Sequence, residues 1–252
     1  MIHHYPVLLH GFTGSSDSWG QLILDGLTSV GCSPVLCDLP GHGSHSTDLD
    51  PKDFSLEATL TRVEHAGVWP TDLIGYSMGG RVALHFAAAY PTKVRRLILE
   101  SASPGLVTEG ERLERQVNDE ELARKIELHG VEDFLRGWER LPLFETQLQL
   151  PGPVRAERHA QGLRNTKAGL ASALRGLGTG VLPSLWDVLP NIKTRTLIIV
   201  GELDAKFVEI GKEMAAVLPQ AELVIVSGVG HTVHLERPRR WVEAIDEFIS
   251  ST

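Results

Sequence analysis

The chain has little cysteine: Cys32 and Cys37 alone among 252 residues. Two thiols cannot build a disulfide scaffold, and lying on either side of a short apolar run they are expected to be free and buried in a reducing compartment. No apolar run approaches the roughly 18 residues that a membrane span needs, so no integral membrane segment is expected. The start, Met1-Ile2-His3-His4-Tyr5-Pro6, has no charged and apolar leader, which points to a cytoplasmic protein. There is no basic excess. With 24 Lys+Arg against 32 Asp+Glu the net charge is −8, which argues against nucleic acid as a partner. Internal repeats and low-complexity linkers are missing. His42-x-x-His45 and His231-x-x-His234 lack further ligands at metal-site spacing, so no metal is expected. No cofactor motif is present, and nothing in the sequence sets an oligomeric state.

What the chain does have is alternation. Pro6–His10, Pro34–Asp38, Asp72–Ile74 and Val94–Glu100 are apolar runs bounded by turn residues, and helical patterns separate them. This predicts an α/β fold, a mostly parallel sheet flanked by helices. The strand pattern stops at about 105 and resumes with Arg195–Val200. The intervening stretch is helical in character, notably over 120–128, 131–140, 154–165 and 168–177. The expected organisation is therefore a core of 1–104 and 191–252 carrying a helical cap of 105–190. The stretch 105–195 is electrically neutral, yet it holds ten of the seventeen arginines. Most of these are expected to be solvated, and a few to face an anionic ligand.

The chemistry centres on Gly75-Tyr76-Ser77-Met78-Gly79-Gly80, which lies between a strand and a helix-forming run. Gly-x-Ser-x-Gly in that setting is a tight turn that lifts a serine hydroxyl to the N-terminus of a helix. A serine hydroxyl needs a base, and the base needs a carboxylate to hold it. Asp204 and His231 each follow a late strand, in the order Ser, Asp, His that this architecture uses. His234 is the rival base, and Glu202 and Glu100 are the rival acids. The backbone N–H groups of Met78 and Phe12 are placed to hold an oxyanion. His10, His42 and His45 lie on early loops and are expected to anchor them by hydrogen bonds.

His10-Gly11-Phe12, Asp38-Leu39-Pro40-Gly41-His42-Gly43, the serine turn, Gly201-Glu202-Leu203-Asp204 and Gly230-His231 together resemble the α/β-hydrolase superfamily, across essentially the whole chain. A narrower likeness appears in Arg81, one turn after the serine, and in the runs Arg112-Leu113-Glu114-Arg115-Gln116, Phe134-Leu135-Arg136-Gly137-Trp138 and Gly162-Leu163-Arg164-Asn165. These are similar to the 2-succinyl-6-hydroxy-2,4-cyclohexadiene-1-carboxylate synthases, the lyases of menaquinone biosynthesis. The resemblance implies elimination of pyruvate from a small polycarboxylate, with Ser77, His231 and Asp204 catalytic. It also implies that Arg81, Arg115 and Arg164 grip carboxylates, with Tyr76 and Trp138 shaping the pocket. A carboxylesterase or carbon–carbon bond hydrolase of the same fold, or a hydrolase-like receptor for a small ligand, would share the triad. The short N-terminus leaves almost no room for the first two strands of the full superfamily sheet.

Overall fold

A computed structural model describes residues 4–45 and 50–251. The first three residues of the N-terminal reading lie outside them. Six strands form one parallel sheet in the order β2-β1-β3-β4-β5-β6. They are β1 (Val7–Leu9), β2 (Val35–Cys37), β3 (Thr71–Tyr76), β4 (Val94–Glu100), β5 (Arg195–Gly201) and β6 (Ala221–Val226).

Side chains alternate across the sheet, and the burial follows that period. Val7, Leu9, Leu73, Leu97, Leu99, Ile198 and Val200 pack on one face, against α2 (Leu56–Ala66), α3 (Met78–Ala89) and α8 (Ala205–Val217). Leu8, Ile74, Ile98, Leu197 and Ile199 pack on the other, against α1 (Gly20–Ser29) and α10 (Pro238–Ser250). A sheet covered on both faces needs apolar residues at successive positions, which is why these strands read as unbroken runs in the sequence. Cys32 and Cys37 are free and buried, and burial pushes both thiols up to about 11. Among the described residues no helix is long and apolar enough to cross a membrane.

Between β4 and β5 lie α4 (Glu109–His129), α5 (Val131–Trp138), a 3-10 segment (Pro142–Gln149), α6 (Gly152–Gly162) and α7 (Lys167–Leu177). Helix α4 is opened by Thr108, whose hydroxyl accepts from the Glu111 N–H while Glu111 bonds back to Thr108, a capping box. It turns a narrow buried stripe, Asp119, Ala123 and Ile126, inward. Ala123 and Ile126 join Phe134, Leu135, Leu170, Ala171 and Leu174 in a separate small core, and Phe12 of the loop after β1 packs against it.

The strand order turns the chain from β1 out to β2 and then back to β3. In open α/β sheets ligands bind where the order reverses, at the carboxyl ends of the strands. Here that places the Phe12 loop beside Ser77.

Candidate active site

Ser77 joins β3 to α3 with φ 50° and ψ −108°, a conformation that L-residues avoid. The turn is held by close backbone approach. A Cβ at Gly79 would stand 2.2 Å from the Leu9 carbonyl oxygen, and one at Gly75 would stand 2.5 Å from the Gly79 oxygen. The Ser77 N–H donates to the Glu100 carbonyl at 2.9 Å, so the next strand braces the strained residue.

Asp204 ends the loop after β5 and caps α8, and His231 lies in the loop after β6. His231 Nδ1 is 2.6 Å from Asp204 Oδ2, and His231 Nε2 is 3.0 Å from Ser77 Oγ. An ionised carboxylate only accepts, so Nδ1 carries the proton and Nε2 is left to accept from the serine hydroxyl. His231 is 1% exposed and Asp204 7%, which keeps water from competing for these bonds. The rivals are engaged elsewhere. His234 Nδ1 lies 2.8 Å from Glu100 Oε2, and Glu202 accepts from Ser227 Oγ and the Gly228 N–H at the surface.

Met78 opens α3, so its N–H has no carbonyl four residues back to bond. The loop bearing Phe12 comes close: a Cβ at Gly11 would lie 3.6 Å from Ser77 Cβ. Two histidines fix the loops around it. His10 Nδ1–H donates to the Gly11 carbonyl at 2.8 Å while Nε2 accepts from the Leu39 N–H at 3.0 Å. His42 Nδ1–H donates to the Pro40 carbonyl at 3.0 Å while Nε2 accepts from the Thr13 N–H at 3.3 Å.

Burial pushes the His42 imidazole down to about 3, with His10 adding to the effect, and burial lowers His10 as well. Both rings stay neutral in the fold, whereas in the unfolded chain they take a proton near pH 6.5. Below about 6.5 the unfolded state therefore binds more protons, and stability falls as the pH drops. His42 alone contributes a slope of up to about 1.4 kcal/mol per pH unit, running down towards its folded value. Urea midpoints at pH 7 and pH 5 check the sign, and a higher midpoint at pH 5 would contradict it.

A cavity of about 460 Å³ opens over this set. Ser77, His231, Met78, Phe12, Tyr76, Arg81, Arg115 and Trp138 all line it. Tyr76 hydroxyl is 2.6 Å from Thr232 Oγ1. Trp138 rests edge-on to Phe12, 5.4 Å between ring centres, and among the described residues its buried Nε1–H has no partner. Arg81 Nε is likewise buried and unpartnered. Burial is the main cause that brings the Arg81 guanidinium down to about 10, with Arg115 nearby reinforcing it and Asp119 opposing. At neutral pH it remains a cation. Arg115 Nε donates to Asp119 Oδ1 at 2.8 Å, which aims its guanidinium from α4.

The structure does not bring Arg164 to this cavity. It lies past the end of α6, exposed, with Nη2 2.5 Å from Asp17 Oδ2. Arg158 takes that side of the wall instead. Its guanidinium lies 5.0 Å over the Phe144 ring, and Phe144 stands edge-on to His231 at 5.9 Å. Val154, Arg158 and Gly162 recur every four residues along α6, the inward stripe of the helix, while Arg155 and Glu157 are exposed. That spacing was the available signal for Arg158.

The alpha/beta hydrolase family model matches residues 7–244. A Bacillus subtilis (strain 168) protein, provisionally named 2-succinyl-6-hydroxy-2,4-cyclohexadiene-1-carboxylate synthase, is 41% identical over 97% of this chain and 90% of its own length. The 2-succinyl-6-hydroxy-2,4-cyclohexadiene-1-carboxylate synthase of Klebsiella pneumoniae is 31% identical over 98% of this chain and 95% of its own. Among solved structures, that of MenH from S. aureus superposes with a TM-score of 0.91 at 35% identity, covering 99% of this chain and 94% of that one. The chain is an enzyme of the α/β-hydrolase family and belongs to its 2-succinyl-6-hydroxy-2,4-cyclohexadiene-1-carboxylate synthase branch.

Proposed function

We propose that the chain is a menaquinone-pathway lyase that converts 2-succinyl-5-enolpyruvyl-6-hydroxy-3-cyclohexene-1-carboxylate into 2-succinyl-6-hydroxy-2,4-cyclohexadiene-1-carboxylate and pyruvate. The observation that carries this is a serine–histidine–aspartate set opening into a cavity with arginines on its wall. A hydrolase needs the first half of that description. The second half suits a substrate with three carboxylates, because a guanidinium can meet each with two parallel hydrogen bonds.

The double bonds define the chemistry. The substrate has C3=C4 and the product has C2=C3 and C4=C5, so the C2 proton leaves and the C5–O bond breaks. Ser77 gives its proton to His231 Nε2 and its oxygen takes the C2 proton. Asp204 supports the imidazolium through Nδ1. The C2 carbanion is stabilised as the enolate of the adjoining succinyl ketone, and that oxygen is held by the Phe12 and Met78 N–H groups. The electrons then return through C2=C3 and C4=C5 and expel enolpyruvate, which becomes pyruvate by taking up one proton as the His231 imidazolium gives up the one it took from Ser77. Nothing is hydrolysed. Arg81, Arg115 and Arg158 hold carboxylates, Tyr76 and Trp138 shape the pocket, and residues 105–190 form the cap.

The body repels a polyanion at long range, and a partly desolvated arginine cluster offsets that locally. Generating the enolpyruvyl substrate in place with the preceding pathway enzyme and following diene and pyruvate together tests the reading. Fast release of both in equal amounts is the expected result. Background release only, beside turnover of simple aryl esters, would make the protein an esterase.

A further inference from the structure

Residues 105–190 hold nine arginines. Arg115, Arg124, Arg136, Arg164 and Arg175 each pair with an aspartate or a glutamate. Arg112 donates to the Leu106 and Val107 carbonyls. The other three, Arg140, Arg155 and Arg158, make no side-chain hydrogen bond or ion pair within the described residues. All three line one cavity of about 220 Å³, together with Arg136. Arg136 stands on α5 and Arg140 just beyond its end, while Arg155 and Arg158 are one turn apart on α6. Of these four only Arg158 also lines the catalytic cavity. One carboxylate, Glu139, lines the outer cavity, and both its oxygens are 3.1 Å from His159 Nδ1. Gln147, on the same wall, is tied to the core: its Nε2 donates to Thr232 Oγ1 at 2.7 Å, one residue before α9 (Val233–Glu236).

In a chain of net charge −8 acids outnumber cations, so arginines left without one should be few and scattered. Here they meet around a single hollow. A concave surface lined by one sign of charge concentrates its potential and draws the opposite ion. A guanidinium fork matches a carboxylate with two parallel hydrogen bonds. Two pairs of forks on separate elements suit two such groups on one molecule better than one compact anion, and Leu148 and Leu150 give a carbon skeleton apolar surface. The volume lies below the roughly 300–1,000 Å³ of pockets for drug-sized ligands, which limits the occupant to a small molecule. We infer that the hollow between α5, α6 and the 142–149 turn is a second ligand site, separate from the catalytic cavity, for a small anion with two or more carboxylates. The inference rests on this cavity and not on the reaction at Ser77.

The probe is tricarballylate, three carboxylates on a short chain, followed by titration calorimetry. The wild type is expected to bind one molecule more per chain than Arg140→Ala/Arg155→Ala, in which that event weakens about tenfold or more. Arg140 and Arg155 are exposed, so the variant should melt as the wild type does. Neither lines the catalytic cavity, so labelling of Ser77 by a fluorophosphonate should keep its rate. Arg124→Ala/Lys125→Ala makes the same change of charge on α4 and should bind as many molecules as the wild type. Inorganic phosphate, a compact anion, should bind at least about tenfold more weakly than tricarballylate. Identical titrations of the wild type and Arg140→Ala/Arg155→Ala would overturn the inference. An equal loss in Arg124→Ala/Lys125→Ala would do the same, because the attraction would then be general charge and not a site. Phosphate binding as tightly as tricarballylate would overturn the polycarboxylate class.

Discussion

Replacing Ser77 with alanine is expected to lower turnover about a thousandfold or more, the scale on which a positioned base contributes. Ground-state binding should barely change, because Ser77 offers the substrate one hydroxyl while the arginines on the wall are untouched. The same loss is expected in His231→Ala, and the double variant should be no slower than either single one, since serine and histidine act as a unit. A glycine at 77 separates chemistry from strain. Ser77 holds φ 50° and ψ −108°, which alanine must also adopt and glycine adopts freely. Ser77→Gly should therefore be equally inactive yet more stable than Ser77→Ala by about 1 kcal/mol. Pyruvate release and urea unfolding of the two variants check both halves. Undiminished turnover in Ser77→Ala would remove the serine from the mechanism.

The core was legible because burial on both faces forces apolar runs, and because each candidate catalytic residue follows a strand. β4 lies on Val94–Glu100 as read, and Asp204 and His231 stand on the loops after β5 and β6 as expected. The insertion was harder. The first half of α4, from Glu109, shows no apolar period because only Asp119, Ala123 and Ile126 of that helix are buried, and none of them precedes residue 119. The turn Pro142–Gln149 is 3-10, which has neither of the usual periods. The family resemblance points to Arg164, and Arg158, six residues before it, looks alike in sequence. Only the helical stripe through Val154 and Gly162 separates them, and Arg164 lies beyond it. The hydrogen bond from Thr146 to Glu236 joins residues 90 positions apart and has no local signature.

Arg81 should show activity and stability moving in opposite directions. Its Nε is buried without a partner among the described residues, and burial together with Arg115 lowers its affinity for its proton. The buried N–H left without an acceptor, beside the like charge of Arg115, costs free energy that Asp119 offsets only in part and that a bound carboxylate would return. Arg81→Met keeps most of the stem and removes the charge. Against a polycarboxylate substrate it should raise KM about 10- to 150-fold, the equivalent of losing a charged hydrogen bond of about 1.5–3 kcal/mol. Against a neutral aryl ester, which has no carboxylate to hold, labelling or turnover at Ser77 should be almost unchanged. The unliganded variant should also melt higher than the wild type, because the desolvated charge is gone. Opposing shifts of this kind are expected where a site is built for a ligand rather than for its own stability. If Arg81→Met instead melts lower and leaves KM unaltered, Arg81 is a structural residue of α3 and the carboxylate must be held by Arg115 and Arg158.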